Sequence, residues 1–196
     1  PEDEAIAVVY GYNYARLVRS TRNPSNGAYK LIVGHDPRPT GEAIIRSQIR
    51  GALRRAEEEG KTIEIIYLGV ITTPLFESAI RTFNADGGVM TTGSHTPLKH
   101  NGWKYGTANE EPAGKKSDAA LLQGGAVLGA EQMGRVIIGT KAFIKRVDRG
   151  RINLKALMTK ADKIDIDAIL NSPDENDRYE KALDGYIKEI EKFLGD

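Results

Sequence analysis

Residues 91–104 read Thr-Thr-Gly-Ser-His-Thr-Pro-Leu-Lys-His-Asn-Gly-Trp-Lys and hold two of the chain's three histidines. Ser94 offers a primary hydroxyl beside Gly93, which suits a nucleophile or a carrier of a phosphoryl group. His95 and Lys104 can move protons or neutralise phosphate. The stretch follows Gly88-Val89-Met90, a short apolar run that reads as a buried strand. A loop leaving such a strand is a usual place for chemistry in α/β folds. The competing description is a polar turn whose Ser and Thr side chains bond only their own backbone.

The elements before this loop must position it. Residues 4–20 read as a helix whose apolar positions Ala5, Val8, Val9, Tyr12, Leu17 and Val18 are interrupted by Gly11. Asn23-Pro24-Ser25-Asn26-Gly27 is a turn signal, and Lys30 to Gly34 a short buried strand. Thr40 is a good N-cap for a helix over 42–59, with Ile45, Ile49, Leu53 and Ala56 inward and Gly60 as its stop. A strand over 62–70 precedes Thr72-Thr73-Pro74, in which Thr73 can cap a helix over 74–83. The strand over 87–92 then enters the Ser94 loop.

Buried strands alternating with amphipathic helices imply crossover connections. The fold class is therefore α/β, a three-layer α/β/α domain with a largely parallel, mixed sheet. In such a sheet His35-Asp36-Pro37-Arg38, Thr72-Thr73 and Ser94-His95 all lie at one edge, where they can converge on one crevice.

Beyond Lys104 the pattern loosens. Residues 118–133 suggest a helix, Arg135 to Gly139 a strand, and the basic run 141–151 a solvated face. A final helix follows Pro173, with a stripe of Tyr179, Leu183, Tyr186, Ile187, Ile190 and Leu194. Residues 1–140 are thus expected to form the α/β domain. Residues 141–196 are expected to be a linker and terminal helix, or the start of a second domain.

The chain has 196 residues, formal net charge +1 and no cysteine. That composition excludes disulfides, thiolate catalysis and cysteine-held metals. Neither nucleic acid nor a membrane is implied, and no signal peptide or membrane-length apolar run occurs, which together suit the cytoplasm. The sequence opens on Pro1 rather than Met, as a processed chain or a piece of a longer one does.

Three stretches resemble the α-D-phosphohexomutases, the phosphoglucomutase and phosphomannomutase family, in the right order. Thr92-Gly93-Ser94-His95-Thr96-Pro97, three residues, then Asn101-Gly102-Trp103-Lys104 resembles Thr-Ala-Ser-His-Asn-Pro, three residues, then Asn-Gly-x-Lys. Gly93 stands for Ala, a minor departure, and Thr96 for Asn. Val33 to Gly41 resembles Gly-x-Asp-x-Arg-x-Ser/Thr-Gly, and Leu68 to Pro74 resembles Gly-x-x-x-Thr-Pro. The resemblance covers residues 4–105 and the first of the family's four domains. The family's opening strand with its Arg motif, its Asp-Gly-Asp-x-Asp-Arg metal motif and its sugar-recognition and phosphate-binding loops have no counterpart here. Asp165-Ile166-Asp167 only echoes the metal motif.

By this resemblance Ser94 is the phosphoserine, and a hexose phosphate is the substrate that passes through a bisphosphate. Lys104 would serve as acid/base or phosphate counter-charge, and His95 would position the loop or bind phosphate. Asp36 and Arg38 would form an ion pair that fixes the loop, Thr92 would support it, and Asn101 and Gly102 would shape the turn delivering Lys104. Mg²⁺ would bind through the Ser94 phosphate, weakly, with carboxylates supplied by the remaining mutase domains. The alternative is a non-catalytic sugar-phosphate-binding or regulatory module of the same fold. A metal-dependent serine phosphatase would need more ligands than His35, His95 and His100 with scattered carboxylates.

Overall fold

The computed structural model describes residues 2–21, 28–108, 126–128 and 130–194. Its elements run α1 (Glu2–Thr21), β1 (Ala28–His35), α2 (Gly41–Glu58), β2 (Thr62–Val70), α3 (Thr73–Thr82), β3 (Gly87–Thr91), β4 (Trp103–Thr107), β5 (Ala126–Val127), α4 (Ala130–Asp148), α5 (Leu154–Ala161), α6 (Ile166–Leu170) and α7 (Glu175–Leu194). The sheet order is β2-β1-β3-β4-β5. β1 pairs parallel with β2 and β3, whereas β4 returns antiparallel along β3, with Met90 opposite Lys104 and Thr91 opposite Trp103. β4 therefore begins at the edge where β1, β2 and β3 end, and residues 92–102 bridge the two strands there.

Strand alternation sorts β1 onto two cores. Leu31 and Val33 join Tyr14, Leu17, Ile45, Ile49 and Tyr105 beneath α1 and α2. Ile32 faces the other way, into Phe76, Ala79 and Ile80 of α3 and Ala182 of α7. Both faces are covered, so these strands read as continuous apolar runs rather than alternating ones. A third cluster sets Phe143 of α4 and Leu157 and Ala161 of α5 against Val8, Val9 and Tyr12 of α1.

Gly11 is a packing residue rather than an interruption. A Cβ there would fall on the Gln48 carbonyl, and one at Gly51 would fall on the Val8 carbonyl. The two glycines let α1 and α2 cross backbone to backbone.

The structure corrects three expectations. Residues 135–139 belong to α4, not to a strand, with Val136 buried and Ile138 exposed on opposite sides of the helix. The β-branched run Val136-Ile137-Ile138 suits either state, and packing on α1 selects the helix. Thr40 precedes α2 but makes no side-chain cap bond. The cap of α3 is Thr72, which accepts from the Leu75 amide at 3.4 Å, so Thr73 is already the first helical residue. The basic residues of the 141–151 run are exposed, while Phe143 among them is buried. The turn at 23–27 and most of the helix expected over 118–133 lie outside the described residues.

Residue 140, the expected end of the α/β domain, falls inside α4. α7 packs on α3, where Arg81 and Glu189 form a two-pronged ion pair at 2.6 Å. Its buried side is Tyr179, Ala182 and Tyr186, while Ile187, Ile190 and Leu194 of the expected stripe are exposed. Among the described residues no helix is long and apolar enough to cross a membrane.

Candidate functional site

The Ser94 loop is built around Arg38. Its side chain is 8% exposed, and every terminal nitrogen has a partner. Nε donates to Asp36 Oδ2 at 2.9 Å, Nη1 to the Pro97 and His100 carbonyls at 2.7 and 2.9 Å, and Nη2 to the Ser94 carbonyl at 3.0 Å. A planar fork of fixed donors suits this task, which a lysine could not perform. Asp36 in turn accepts from the Arg38 amide at 3.2 Å and the Gly93 amide at 3.1 Å. Burial pushes the Asp36 carboxyl up, but hydrogen bonds from Thr92, Arg38 and the Gly93 amide outweigh it and hold the group below the ordinary carboxylate range.

Gly93 is required by this arrangement. A Cβ at that position would stand 2.6 Å from Arg38 Cζ and 2.7 Å from the His100 carbonyl oxygen. The exchange of Ala for Gly is therefore not minor in this chain: the guanidinium occupies the space. Thr96 closes the turn, its amide and hydroxyl both donating to the Gly93 carbonyl at 3.0 and 2.7 Å.

Ser94 follows with φ of 51°, in the left-handed region. Outside glycine that conformation is uncommon and concentrates at functional positions. The Ser94 amide donates to Thr92 Oγ1 at 3.0 Å, and Ser94 Oγ lies 3.1 Å from His95 Nδ1. Both side chains are exposed, so the hydroxyl projects from the loop instead of closing back on its own backbone. At the far end, the Thr92 amide donates to the Gly102 carbonyl at 3.0 Å, and the Gly102 amide to Asn101 Oδ1 at 2.9 Å. Asn101 Nδ2 donates to Thr40 Oγ1 at 3.1 Å, which ties the loop to the start of α2 and explains why Thr40 does not cap that helix.

Ser94, His95, Thr92, Asp36, Arg38, Asn101 and Gly102 thus belong to one hydrogen-bonded loop. Lys104 is placed differently. Its Nζ donates to Thr73 Oγ1 at 3.3 Å, on the first turn of α3. The three strand ends accordingly meet through Arg38 to Ser94 and through Lys104 to Thr73.

His35 is structural. Its Nδ1 faces the Asp36 carbonyl at 2.8 Å and so carries the proton, while Nε2 lies 2.9 Å from the Tyr67 hydroxyl. Burial, followed by the charges of Glu42 and Glu175, pushes that hydroxyl up to about 12, which keeps it a donor. Residue types alone do not reveal Tyr67 or Thr40 as loop supports, because their partners lie on other elements.

The described residues do not fit a metal ion. No three His, Asp or Glu among them converge. The carboxylate that touches the loop, Asp36, is committed to Arg38 and Gly93. Asp165 caps α6 by accepting from the Ala168 amide, and Asp167 pairs with Arg46 at 2.6 Å, so their echo of a metal motif has no counterpart in space.

A mixed sheet whose strand ends carry a guanidinium-held serine loop defines an α/β/α domain of a particular kind. The family model for phosphoglucomutase/phosphomannomutase, alpha/beta/alpha domain I, matches residues 3–124. The chain belongs to this family. Phosphoglucosamine mutase of Limosilactobacillus reuteri is 39% identical over 85 residues, 43% of this chain and 18% of that protein. A protein described as a probable phosphoglucosamine mutase of Thermococcus kodakarensis is 36% identical over 83 residues, 42% of this chain and 17% of its own length. A crystal structure described as a phosphomannomutase from Thermus thermophilus matches with TM-score 0.50 and 23% identity, covering 68% of this chain and 25% of that one, and supports the fold. The matched stretch spans less than a fifth of the curated relatives' length.

Proposed function

We propose that this chain is the first domain of a hexose-phosphate mutase and that Ser94 carries its phosphoryl group. The observation that carries the reading is the left-handed Ser94, held through its own carbonyl by Arg38 with its hydroxyl projecting beside His95. Positioning and charge stabilisation are what phosphoryl transfer needs most from a protein.

In the forward step the hydroxyl oxygen of Ser94 attacks phosphorus of a hexose bisphosphate. The bond from phosphorus to the sugar oxygen breaks, and that oxygen takes a proton as the sugar monophosphate leaves. The proton of the Ser94 hydroxyl passes to a neighbouring base, for which His95 Nδ1 at 3.1 Å is the candidate. The reverse step, with the sugar phosphate re-oriented, delivers the phosphoryl group to the other hydroxyl. A phosphorylated Ser94 carries about two negative charges near neutral pH. His95, exposed beside the hydroxyl, and Lys104 are this chain's cations for them.

The family resemblance implies Mg²⁺ on that phosphate. The described residues add no second ligand. Carboxylates from the mutase's other domains would complete its coordination. The chain by itself is accordingly expected to accept a phosphoryl group without turning over substrate.

The test is phosphoryl loading. The purified chain is incubated with glucose 1,6-bisphosphate or glucosamine 1,6-bisphosphate, and intact mass and peptide mapping follow. One added phosphoryl group on the Ser94 peptide, absent from Ser94→Ala, is the expected result. No loading from either donor, together with an unmodified Ser94 in protein taken directly from cells, refutes the reading.

A further inference from the structure

Lys104 follows the loop, yet what holds it lies outside the loop. In the β3–β4 register it stands opposite Met90, on the side of the sheet covered by α3. Its Nζ donates to Thr73 Oγ1 at 3.3 Å, and the Thr73 hydroxyl directs its own proton towards Met90 Sδ at 3.7 Å. With the hydroxyl proton turned to sulfur, the oxygen lone pairs are left facing the ammonium. Thr73 is free for this because Thr72 caps the helix.

Glu77 lies one turn further along α3, on the same face as Thr73. It is half-buried. Burial raises its carboxyl above the ordinary range, and the charges of Arg81 and Lys104 draw it back down. Arg81, one turn beyond, is engaged by Glu189 of α7 through two bonds at 2.6 Å. The cations whose charge acts on Glu77 are thus Arg81 from its own helix and Lys104 from β4, and the acid paired with Arg81 from α7 is Glu189.

We infer that Thr73 is a positioning residue that holds the Lys104 ammonium against the first turn of α3, at the sheet edge where the Ser94 loop emerges, with Glu77 one turn along the same face as a counter-charge. The inference rests on the reading of Lys104 as the acid/base or phosphate counter-charge. A free lysine side chain samples many rotamers, and ordering it costs entropy. A hydroxyl with fixed lone pairs and a nearby carboxylate meet that cost before substrate arrives. Thr73 and Glu77 lie on α3, outside the Ser94 loop. Their effect on chemistry would pass through Lys104 alone.

Side-chain NMR on the full chain tests this. Glutamate carboxyl carbons are followed through pH, with Glu77 assigned from Glu77→Gln, in the wild type and in Lys104→Met. Loss of the cation is expected to move the Glu77 midpoint upward, because a charge that favours the carboxylate is gone. Lysine side-chain relaxation is measured alongside. Lys104 is expected to be more ordered than exposed Lys141, to become as mobile as Lys141 in Thr73→Val, and to regain order in Thr73→Ser, which restores the hydroxyl. An unmoved Glu77 midpoint in Lys104→Met, or a wild-type Lys104 as mobile as Lys141, overturns the inference. Phosphoryl loading of Ser94 in the same samples separates the two ideas. An ordered Lys104 in a chain that never accepts phosphate supports the pairing and refutes only the functional reading.

Discussion

Replacing Arg38 by Met tests whether one side chain builds the serine loop. Methionine preserves much of the aliphatic stem and removes all five donors. Four bonds disappear: one to Asp36 and one each to the Ser94, Pro97 and His100 carbonyls. Hydrogen bonds from a charged donor contribute about 1.5–3 kcal/mol each, but these share one group and do not add. The exposed loop can also turn its carbonyls to water, which recovers part of the loss. Asp36 cannot do so as easily, since its side chain is only 15% exposed and would be left charged without its partner. Removing one member of a buried pair costs about 3–5 kcal/mol, and the lower end, about 3 kcal/mol, suits a site at the edge of the fold. Urea unfolding with amide exchange measures both parts. The expected result is a lower midpoint and loss of protection at the Gly93 and Ser94 amides, bonded now to Asp36 and Thr92. Arg38→Lys should fall between, because a point charge can pair with Asp36 but cannot reach three carbonyls at once. Unfolding within about 0.5 kcal/mol of wild type, the range of an ordinary surface change, with protection at Gly93 intact, would refute the argument.

Gly93→Ala should cost about 1–3 kcal/mol in urea unfolding, because the new methyl must displace the guanidinium or the His100 carbonyl. Ser94→Gly should behave in the opposite way: relief of the left-handed φ is expected to stabilise the chain by about 1 kcal/mol in the same assay, while phosphoryl loading is lost. Gly11→Ala should cost about 3 kcal/mol, since the added methyl meets backbone of α2 that has nowhere to retreat, and thermal unfolding would reveal it. Acid should weaken the fold. Asp36 and Glu189 are both held below their ordinary values of 3.8 and 4.5 despite burial, by Thr92 and Arg38 in the first case and by Arg81 in the second. Their stabilisation is present above those values and is lost as pH falls through the lower folded ones, whereas Glu77, held above 4.5, works in the opposite sense. A net fall in the urea midpoint below about pH 4, smaller in Arg81→Met than in wild type, is the expected profile.

The three-layer domain was legible because its signals are local. Ile45, Ile49 and Ala56 repeat at helical spacing and are all buried, and the runs at 31–33 and 65–68 are too apolar for any place except a sheet covered on both faces. The site was legible to the extent that strand ends of one sheet must share an edge. What stayed hidden depends on partners distant along the chain. Gly11 looks like a helix defect until α2 is laid across it. Thr40 looks like a cap until Asn101, 61 residues away, takes its hydroxyl. Lys104 looks like a loop residue until the register of β4 turns it towards α3. Val136 and Ile138 show the opposite failure: a strong local preference for strand gives way to packing on α1.

Arg38 grips the loop by its main chain. The three oxygens it reads belong to peptide groups, which every residue type possesses. Loop shape is thereby uncoupled from loop sequence over much of its length. Leu98, Lys99 and His100 are exposed and make no demand on the fold with their side chains, so substitutions there can alter what approaches Ser94 while the serine stays where it is. The positions without that freedom are those whose side chains shape the loop, Asp36, Thr92, Thr96 and Asn101 among them, and above all Arg38 and Gly93, one filling the space that the other leaves open. A domain built this way can accept drift at the loop tip, under a constraint concentrated in a few positions, among them the pair Arg38 and Gly93, 55 apart along the chain.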